Sequence, residues 1–232
     1  MLYTEEMARM NIRTREGKRV FYLGKGDTLT PGARDWLSRE RVRILDAAGA
    51  KPEEYRLLNG AVLREKPEHM THLHGDVLVN KTHPRIYFRG MIDALEAELL
   101  LCQLECPKWK EELGQILNLA RVLIRCDVME EPAPEGKLCG LTAEELRSHS
   151  HRPQDYYGQT HFMPETTDGL IVLHLNRCRT AARAAELAAA AAFTDENGNC
   201  TREDILRTLN RMSSMLYILM IRQKGEKSNG IL

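Results

Sequence analysis

The alanine-rich stretch at residues 175–187, LNRCRTAARAAEL, limits the fold more than any other part of the sequence. Alanine is the strongest helix former, so the stretch predicts a helix. Arg179, Arg183 and Glu186 recur at helical spacing and lie on one face, with Asn176 one turn earlier. Such a stripe is usually a solvated surface whose ion pairs contribute about 0.2–0.5 kcal/mol each. The other interpretation is a polar wall between helices.

Apolar residues at helical spacing predict further long helices that pack on the alanine-rich one. The first of them carries a seam that ends with Cys102 and Cys106, and Pro107 stops the helix. Thr142, followed three residues later by Glu145, predicts a capping box and a short helix. The predicted long helices cover about residues 88–106, 109–124, 167–193 and 201–223.

The first 59 residues differ from this pattern and predict a small α+β module. KRVFYL and RVRIL are typical of strands, and Thr30 and Pro31 give the N-cap and first residue of a helix between them. Residues 60–85 and 148–166 are interpreted as irregular, and GEKSNG near the C-terminus is predicted to fray. The predicted fold class is therefore mainly α, a helix bundle over residues 60–232 with a small α+β appendage over residues 1–59.

Charge and composition exclude several function classes. Lysine plus arginine and aspartate plus glutamate both number 33, so the net charge is zero and indicates neither nucleic acid nor an anionic membrane as a partner. No apolar run is long enough to span a membrane, and the N-terminus has no secretory signal pattern. The six cysteines form no CxxC pair and are interpreted as reduced, mostly buried thiols of a cytoplasmic protein.

Polar residues on otherwise apolar helices are the candidates for chemistry. Asp93 lies on the first long helix, and Asn210 and Ser214 lie in LNRMSSMLYILM of the last one. Buried guanidiniums such as those of Arg179 and Arg183 need carboxylates or phosphates as partners. A dry cluster of these residues suits the phosphates of a nucleoside triphosphate. A structural arginine–aspartate pair fits them nearly as well.

The eight histidines support a further alternative, an all-helical metal-dependent hydrolase. Two clusters carry it: His69, His72 and His74, and His149, His151 and His161. No spacing among them matches a zinc template. P-loop, Rossmann and serine-hydrolase motifs are absent from the sequence as well.

Four segments carry a resemblance to a known family. They are LTPGARDWLSRERVRI, THLHGDVLVNKTHPRIYFRGMIDALEAE, HFMPETTDGLIVLHLNRCRTAARAAE and LNRMSSMLYILM. In this order they resemble the corrinoid adenosyltransferases of bacterial ethanolamine utilisation and, more distantly, the propanediol-utilisation type of cobalamin adenosyltransferase. KTHPRIYFRGMIDAL is similar to the signature KxDPRxxxxGxxDE, and RTAARAAE is similar to RTxxRRAE. The resemblance implies a five-helix bundle in a homotrimer with active sites between subunits.

The resemblance also implies an activity, the transfer of the 5′-deoxyadenosyl group of ATP to the cobalt of cob(I)alamin. The product, adenosylcobalamin, would serve ethanolamine ammonia-lyase. Mg²⁺ is expected on the phosphates from ATP chemistry. Implied partners are ethanolamine microcompartment proteins and a flavin reductase, with the protein in the cytoplasm or associated with a microcompartment. The alternative is an adenosylcobalamin-binding carrier without catalysis.

Site residues follow from the same resemblance. It implies that Asp93 forms a salt bridge with Arg179 across helices, and that Arg183, Glu186 and Asn210 hold the nucleotide. Thr71, His72 and Lys81 are candidate phosphate contacts. Phe162, with neighbouring His161 at the strict family register, is expected to form a hydrophobic wall that excludes the lower axial ligand of the corrinoid and so eases cobalt reduction. The predicted site comprises nine residues and does not include His161. They are Thr71, His72, Lys81, Asp93, Phe162, Arg179, Arg183, Glu186 and Asn210.

Three departures from the family pattern qualify this assignment. Ala184 replaces the second arginine of the RRAE pair, and Ser214 replaces the acidic residue that the family carries after LNRLS. AVLREKPEHM contains no cysteine where many ethanolamine-type enzymes carry a cysteine-rich metal motif. We therefore predict a member of the family without that metal site.

Overall fold

The computed structural model of the chain describes residues 2–15, 18–46 and 54–228. They form two units, Met1–Pro67 and Glu68–Leu232, each with its own hydrophobic core. The sequence predicted a boundary after residue 59, and that division stays a prediction. No helix of the described residues is long and apolar enough to cross a membrane.

The first unit is a small α+β structure. Its elements are β1 (Leu2–Tyr3), α1 (Glu5–Met10), β2 (Arg13–Arg15), β3 (Lys18–Leu23), β4 (Thr28–Leu29), α2 (Pro31–Arg39), β5 (Arg43–Asp46), β6 (Tyr55–Leu57) and β7 (Val62–Leu63). β3 pairs in parallel with β5 across α2, which confirms the predicted β-α-β order. Thr30 caps α2 by accepting a hydrogen bond from the backbone N–H of Ala33, with Pro31 at the first position, as predicted.

The second unit is mainly helical. Its elements are β8 (Met70–His74), β9 (Val77–Asn80), α3 (Pro84–Glu105), α4 (Lys110–Met129), α5 (Ala143–His151), α6 (Pro153–Tyr157), α7 (Leu170–Phe193) and α8 (Glu203–Ser228). The four long helices and the capping box of Thr142 and Glu145 are confirmed. The predicted mainly α fold with an N-terminal α+β part is therefore correct.

Three local predictions are wrong. Residues 148–166 are not irregular throughout, because they include the end of α5 and the whole of α6. Residues 60–85 are not irregular, because β8 and β9 form an antiparallel hairpin in which Thr71 lies opposite Val79. In β8 the buried residues Met70 and Leu73 lie among histidines, and the polar composition hid the strand. The predicted frayed tail is also wrong as far as it is described, because α8 continues to Ser228. Residues 229–232 lie outside the described residues.

Small side chains set the centre of the bundle. Ala182, Ala185 and Ala189 of α7 are fully buried where α7 packs against α3 and α8. A methyl side chain lets neighbouring helices approach closely while still burying apolar surface. Cys102 and Cys106 are buried on the α3 seam with their sulfurs 3.7 Å apart, as the seam predicted.

A buried ion cluster fixes the hairpin to the bundle. The Asp127 carboxylate of α4 is fully buried and accepts hydrogen bonds from Arg85 Nε at 2.8 Å and Arg89 Nε at 2.6 Å. Arg89 also donates to the backbone carbonyls of His72 and Leu73. One carboxylate thereby holds α3, α4 and β8 together.

Replacing Asp127 by asparagine leaves Arg89 with no anionic partner among the described residues and Arg85 with only the exposed Glu130, 3.5 Å away. Both guanidiniums are largely removed from solvent. We expect Asp127→Asn to lower the free energy of unfolding by about 3–5 kcal/mol. Arg121→Ala is the control, because it breaks an ion pair with Glu96 in which the arginine is 52% exposed. The control should lose less than about 1 kcal/mol. Urea unfolding at fixed protein concentration measures the free energy of unfolding of both variants. Equal decreases in the two variants would contradict a larger stabilisation by the buried cluster than by the exposed ion pair.

Candidate functional site

The polar stripe of α7 lines a cavity of about 410 Å³ in the second unit. Arg179 and Arg183 form one side of the cavity, and Asn210 of α8 faces them. The full lining is Ser150, His151, His161, Arg179, Arg183, Asn210, Ser213, Ser214 and Tyr217. The arginines of the stripe therefore form one wall of an open cavity between helices, and Arg183 remains partly exposed to solvent.

Helical spacing explains how α8 contributes to the cavity. Asn210, Ser214 and Tyr217 are four and then three residues apart, so their side chains lie on one face. Leu209 and Leu216 are fully buried in the core on another face of the same helix. The sequence LNRMSSMLY thus presents an apolar face to the bundle and a polar face to the cavity.

Glu186 joins the two helices behind the wall. Its Oε1 accepts a hydrogen bond from Asn210 Nδ2 at 2.8 Å, and its Oε2 accepts one from Arg183 Nη1 at 3.1 Å. Three of the predicted residues therefore form one connected group. The Arg183 side chain is 49% exposed, which leaves its remaining N–H groups accessible from the cavity.

Arg179 is held by a different partner from the predicted one. Its Nε and Nη2 atoms both donate to Asn176 Oδ1, at 3.0 and 2.9 Å. Asp93 is exposed on α3, and its side chain makes no hydrogen bond or ion pair with another described residue. The predicted Asp93–Arg179 salt bridge is therefore absent within one chain.

The predicted phosphate contacts lie on the hairpin, outside this lining. His72 Nδ1 is 3.0 Å from the carbonyl oxygen of Gly75, and Lys81 pairs with Glu68 at 3.0 Å. Thr71 is half-buried on β8. The predicted residues consequently divide into two groups. Arg179, Arg183, Glu186 and Asn210 line or adjoin the cavity, whereas Thr71, His72, Lys81 and Asp93 do not.

The segment after α6 is fastened to α8 through Tyr217. His161 Nε2 lies 3.1 Å from the His151 carbonyl oxygen, which can only accept, so His161 carries its proton on Nε2. His161 Nδ1 lies 3.0 Å from the Tyr217 hydroxyl, and the two rings stack with centroids 5.8 Å apart. Both ring nitrogens of His161 are therefore engaged, which fixes the orientation of the imidazole at the cavity wall.

Phe162 packs beside the cavity and is not among its lining residues. Its ring stacks on Tyr217 with centroids 6.2 Å apart, and Lys224 Nζ lies 4.2 Å from the ring centroid. Lys224 in turn forms an ion pair with Asp168 at 2.6 Å. The neighbouring His161 lines the cavity instead, and the assignment of Phe162 to the corrin face stays a prediction.

Part of the lining escaped the sequence analysis. Ser150 and His151 come from the end of α5, and Ser213 is the buried neighbour of Ser214 on α8. Ser213 could have been predicted from the sequence, because a residue three positions after Asn210 lies on the same side of the helix. No local pattern brings Ser150 and His151 to this cavity, because their approach depends on how α5 packs against α8.

His149 and Cys139 lie outside the cavity lining and are engaged by other groups. His149 stacks on Tyr156 at 3.7 Å and its Nδ1 lies 2.8 Å from the Tyr157 hydroxyl. Burial raises the pKa of the Cys139 thiol to about 12, which leaves it protonated at neutral pH. Across the described ranges, no three His, Cys, Asp or Glu side chains gather in a geometry that could hold a metal ion. The geometry thus gives the hydrolase alternative no ligand set.

The lining of the cavity suits a ligand that combines several negative charges with uncharged polar groups. Two guanidiniums can each donate paired hydrogen bonds to phosphate oxygens, and the serine and tyrosine hydroxyls add further polar groups. The lining contains no carboxylate to repel an anion. The only acidic side chain bonded to the wall residues Arg183 and Asn210 in the described chain is Glu186, and both its oxygens are engaged.

Known proteins align with most of the length of this sequence. The family model of cobalamin adenosyltransferases matches residues 61–223, which include every residue of the cavity lining. Corrinoid adenosyltransferase EutT of Salmonella typhimurium is 31% identical over 94% of this chain and 90% of its own length. Corrinoid adenosyltransferase EutT of Escherichia coli K12 is 30% identical over the same shares. The match across both the bundle and its polar wall shows that the chain belongs to the cobalamin adenosyltransferase family.

Proposed function

We propose that the chain is an ATP:corrinoid adenosyltransferase. In this reaction the cobalt of a reduced corrinoid bonds to C5′ of ATP, the bond from C5′ to oxygen breaks, and the polyphosphate leaves. The observation that supports the proposal best is the meeting of Arg179, Arg183 and Asn210 in one cavity of a chain from this family. Its product would be adenosylcobalamin, and ethanolamine utilisation is the proposed context, on the strength of the EutT relatives.

The guanidiniums of Arg179 and Arg183 would bind the phosphates and stabilise the negative charge of the leaving group. Charge–charge hydrogen bonds aimed at a developing anion contribute most when they are oriented before the reaction. Asn176 and Glu186 provide that orientation, since each holds one of the two guanidiniums. Asn210 and Glu186 would complete the nucleotide site.

The second group of predicted residues would come from a neighbouring copy. The Asp93 side chain has no partner among the described residues, while Arg179 on α7 is held by Asn176. Beside Asp93, α3 carries an exposed apolar stripe at spacings of three and four residues. Its members are Tyr87, Gly90, Ala94, Ala97, Leu101 and Leu104. We infer that this stripe is covered in a homotrimer, which would bring Asp93, Thr71, His72 and Lys81 to the α7 wall of the next subunit.

Mg²⁺ would enter this site on the nucleotide, not on the protein. The lining offers guanidinium, imidazole, amide and hydroxyl groups but no carboxylate, whereas Mg²⁺ in proteins is usually held by carboxylates. The residues therefore do not fit a protein-held Mg²⁺. Association with microcompartment proteins and reduction by a flavin reductase stay predictions.

Turnover tests the proposal directly. Purified protein incubated with cob(I)alamin, ATP and Mg²⁺ in the dark should lose the cob(I)alamin absorbance band and gain the light-sensitive spectrum of adenosylcobalamin. Arg183→Ala should lower kcat/KM for ATP by roughly 10- to 100-fold, since a hydrogen bond to a charged group contributes about 1.5–3 kcal/mol.

Arg177→Ala is the matched control for Arg183→Ala. It removes an arginine of the same helix that pairs with Glu98 and lies outside the cavity lining. The control should keep wild-type kcat/KM. Binding of ATP and corrinoid by the wild-type protein without turnover would favour the carrier alternative instead.

Mixed trimers test whether the site lies between copies. Asp93→Asn and Arg179→Ala should each abolish most activity alone. When the two variants are co-expressed with different tags and purified on both, mixed trimers should recover about one third of wild-type activity. In a three-fold ring, one interface of each mixed trimer combines an intact Asp93 with an intact Arg179.

The control for this experiment mixes two variants of the same wall. Arg179→Ala and Arg183→Ala both alter α7, so no interface in their mixed trimers regains a complete wall. That mixture should stay as inactive as its components. Failure of the Asp93→Asn and Arg179→Ala mixture to recover activity would contradict a shared site.

The role of Phe162 can be separated from adenosyl transfer. Exclusion of the lower axial ligand matters for reduction of Co(II), and no such barrier exists once cobalt is reduced. Phe162→Ala should therefore keep transfer from chemically supplied cob(I)alamin and lose conversion that starts from cob(II)alamin with a reductant. His161→Ala is the companion variant, and loss of conversion there with an active Phe162→Ala would reassign the wall to His161.

A further inference from the structure

Arg211 is held at the back of the polar wall by an uneven set of contacts. Its Nη2 donates to Asn210 Oδ1 at 2.5 Å, and its Nη1 donates to the Ala143 carbonyl oxygen at 3.3 Å. Its Nε is buried and has no acceptor among the described residues. The strongest contact that the guanidinium makes is therefore the one to the Asn210 side chain.

Arg211 does not line the polar cavity. It lines a second cavity of about 390 Å³, whose walls come from the α4–α5 connection, the start of α5 and another face of α8. Asp204, Arg207, Thr208 and Arg211 are the α8 residues of this lining, at helical spacing. Asn210 therefore accepts a hydrogen bond from a residue of the second cavity, while Asn210 itself lines the polar cavity.

Hydrogen-bond chemistry fixes what Arg211 does to Asn210. The Glu186 carboxylate can only accept, so the Asn210 amide must turn its Nδ2 toward Glu186. The Oδ1 end then faces Arg211, which can only donate. The sequence of contacts runs from Arg211 through Asn210 and Glu186 to Arg183.

Stability alone does not account for an arginine at this position. Burial lowers the pKa of Arg211, and the neighbouring charge of Arg147 lowers it further, so its environment disfavours the charged form. A buried N–H without an acceptor is also destabilising. An apolar side chain of similar length would avoid both effects.

We propose that Arg211 is a positioning residue for nucleotide binding, acting through the orientation of the Asn210 amide on Glu186 and Arg183. This inference rests on the proposed function, because it requires the polar wall to hold ATP. Arg211 itself touches neither substrate in this account. Its effect is on the binding of ATP and not on the transfer of the adenosyl group.

Arg211→Met separates positioning from folding. We expect KM for ATP to rise about tenfold, the size expected when a charged hydrogen bond no longer fixes the wall, with kcat unchanged. The urea midpoint should not fall, since methionine removes a desolvated charge without leaving a large void. Arg207→Met is the matched control, because Arg207 lines the same cavity one turn away and is exposed. It should keep the wild-type KM.

Chemical rescue provides the second test and does not depend on the methionine variant. Arg211→Ala opens space beside a cavity of about 390 Å³, through which a free guanidinium ion can reach Asn210. Guanidinium chloride, far below denaturing concentration, should lower the raised KM of Arg211→Ala. Sodium chloride at the same ionic strength should not, and neither salt should improve the wild type or Arg207→Met.

The outcomes distinguish this inference from the proposed function. Asn210→Ala is measured alongside. If Asn210→Ala raises KM for ATP while Arg211→Met and Arg211→Ala do not, the positioning role is overturned and the nucleotide wall stands. If Asn210→Ala leaves KM unchanged, the nucleotide wall and the positioning role both fail. A lower urea midpoint in Arg211→Met with an unchanged KM would make Arg211 structural.

Discussion

The close packing of α7 between α3 and α8 is the constraint on which the rest of the structure depends. Ala182, Ala185 and Ala189 are fully buried, so the helix backbones approach without large side chains between them. A helix that buries one face in this way must turn another face outward. Arg179 and Arg183 lie on that other face, and the alanine packing therefore decides where the two guanidiniums point.

Close packing also explains why so few side chains control the polar wall. A carboxylate at Glu186 can reach Asn210 only because α7 and α8 lie side by side along this length. The same contact transmits any displacement of the Asn210 amide to Arg183, through hydrogen bonds of 2.8 and 3.1 Å. Polar groups linked in this way depend on one another, because the displacement of one group leaves its neighbour without a hydrogen-bond partner.

Sequence patterns predicted those parts of the structure that one element determines by itself. The long helices follow from apolar spacing, and the caps at Thr30 and Thr142 follow from residue type at helix starts. The β8–β9 hairpin was missed because histidines occupy the outward positions of a short strand, where alternation over five residues is a weak signal. The α7 and α8 wall was predictable because Arg179, Arg183 and Asn210 recur on helix faces.

The remaining part of the site depends on packing between elements, which periodicity does not encode. Ser150 and His151 reach the cavity through the docking of α5 on α8, and His161 reaches it through Tyr217. Asp93 was predicted to meet Arg179, yet the sequence alone does not tell a contact within one chain from a contact between chains. Asp93 is exposed on α3 beside an apolar stripe and has no side-chain partner among the described residues, which suits the proposed contact between chains.

The departures at Ala184 and Ser214 bear on whether this member still catalyses transfer. Relative to the family pattern, Ala184 removes one positive charge and Ser214 removes one negative charge, so the net charge of the site is unchanged. The wall keeps the guanidiniums of Arg179 and Arg183, and Ser214 adds a hydroxyl to the lining without adding a charge. An acidic residue retained without its arginine would repel phosphate, and an arginine retained without its acid would bind the released polyphosphate more tightly. Loss of both together preserves the electrostatic balance between binding ATP and releasing the product, which favours an active enzyme over a carrier.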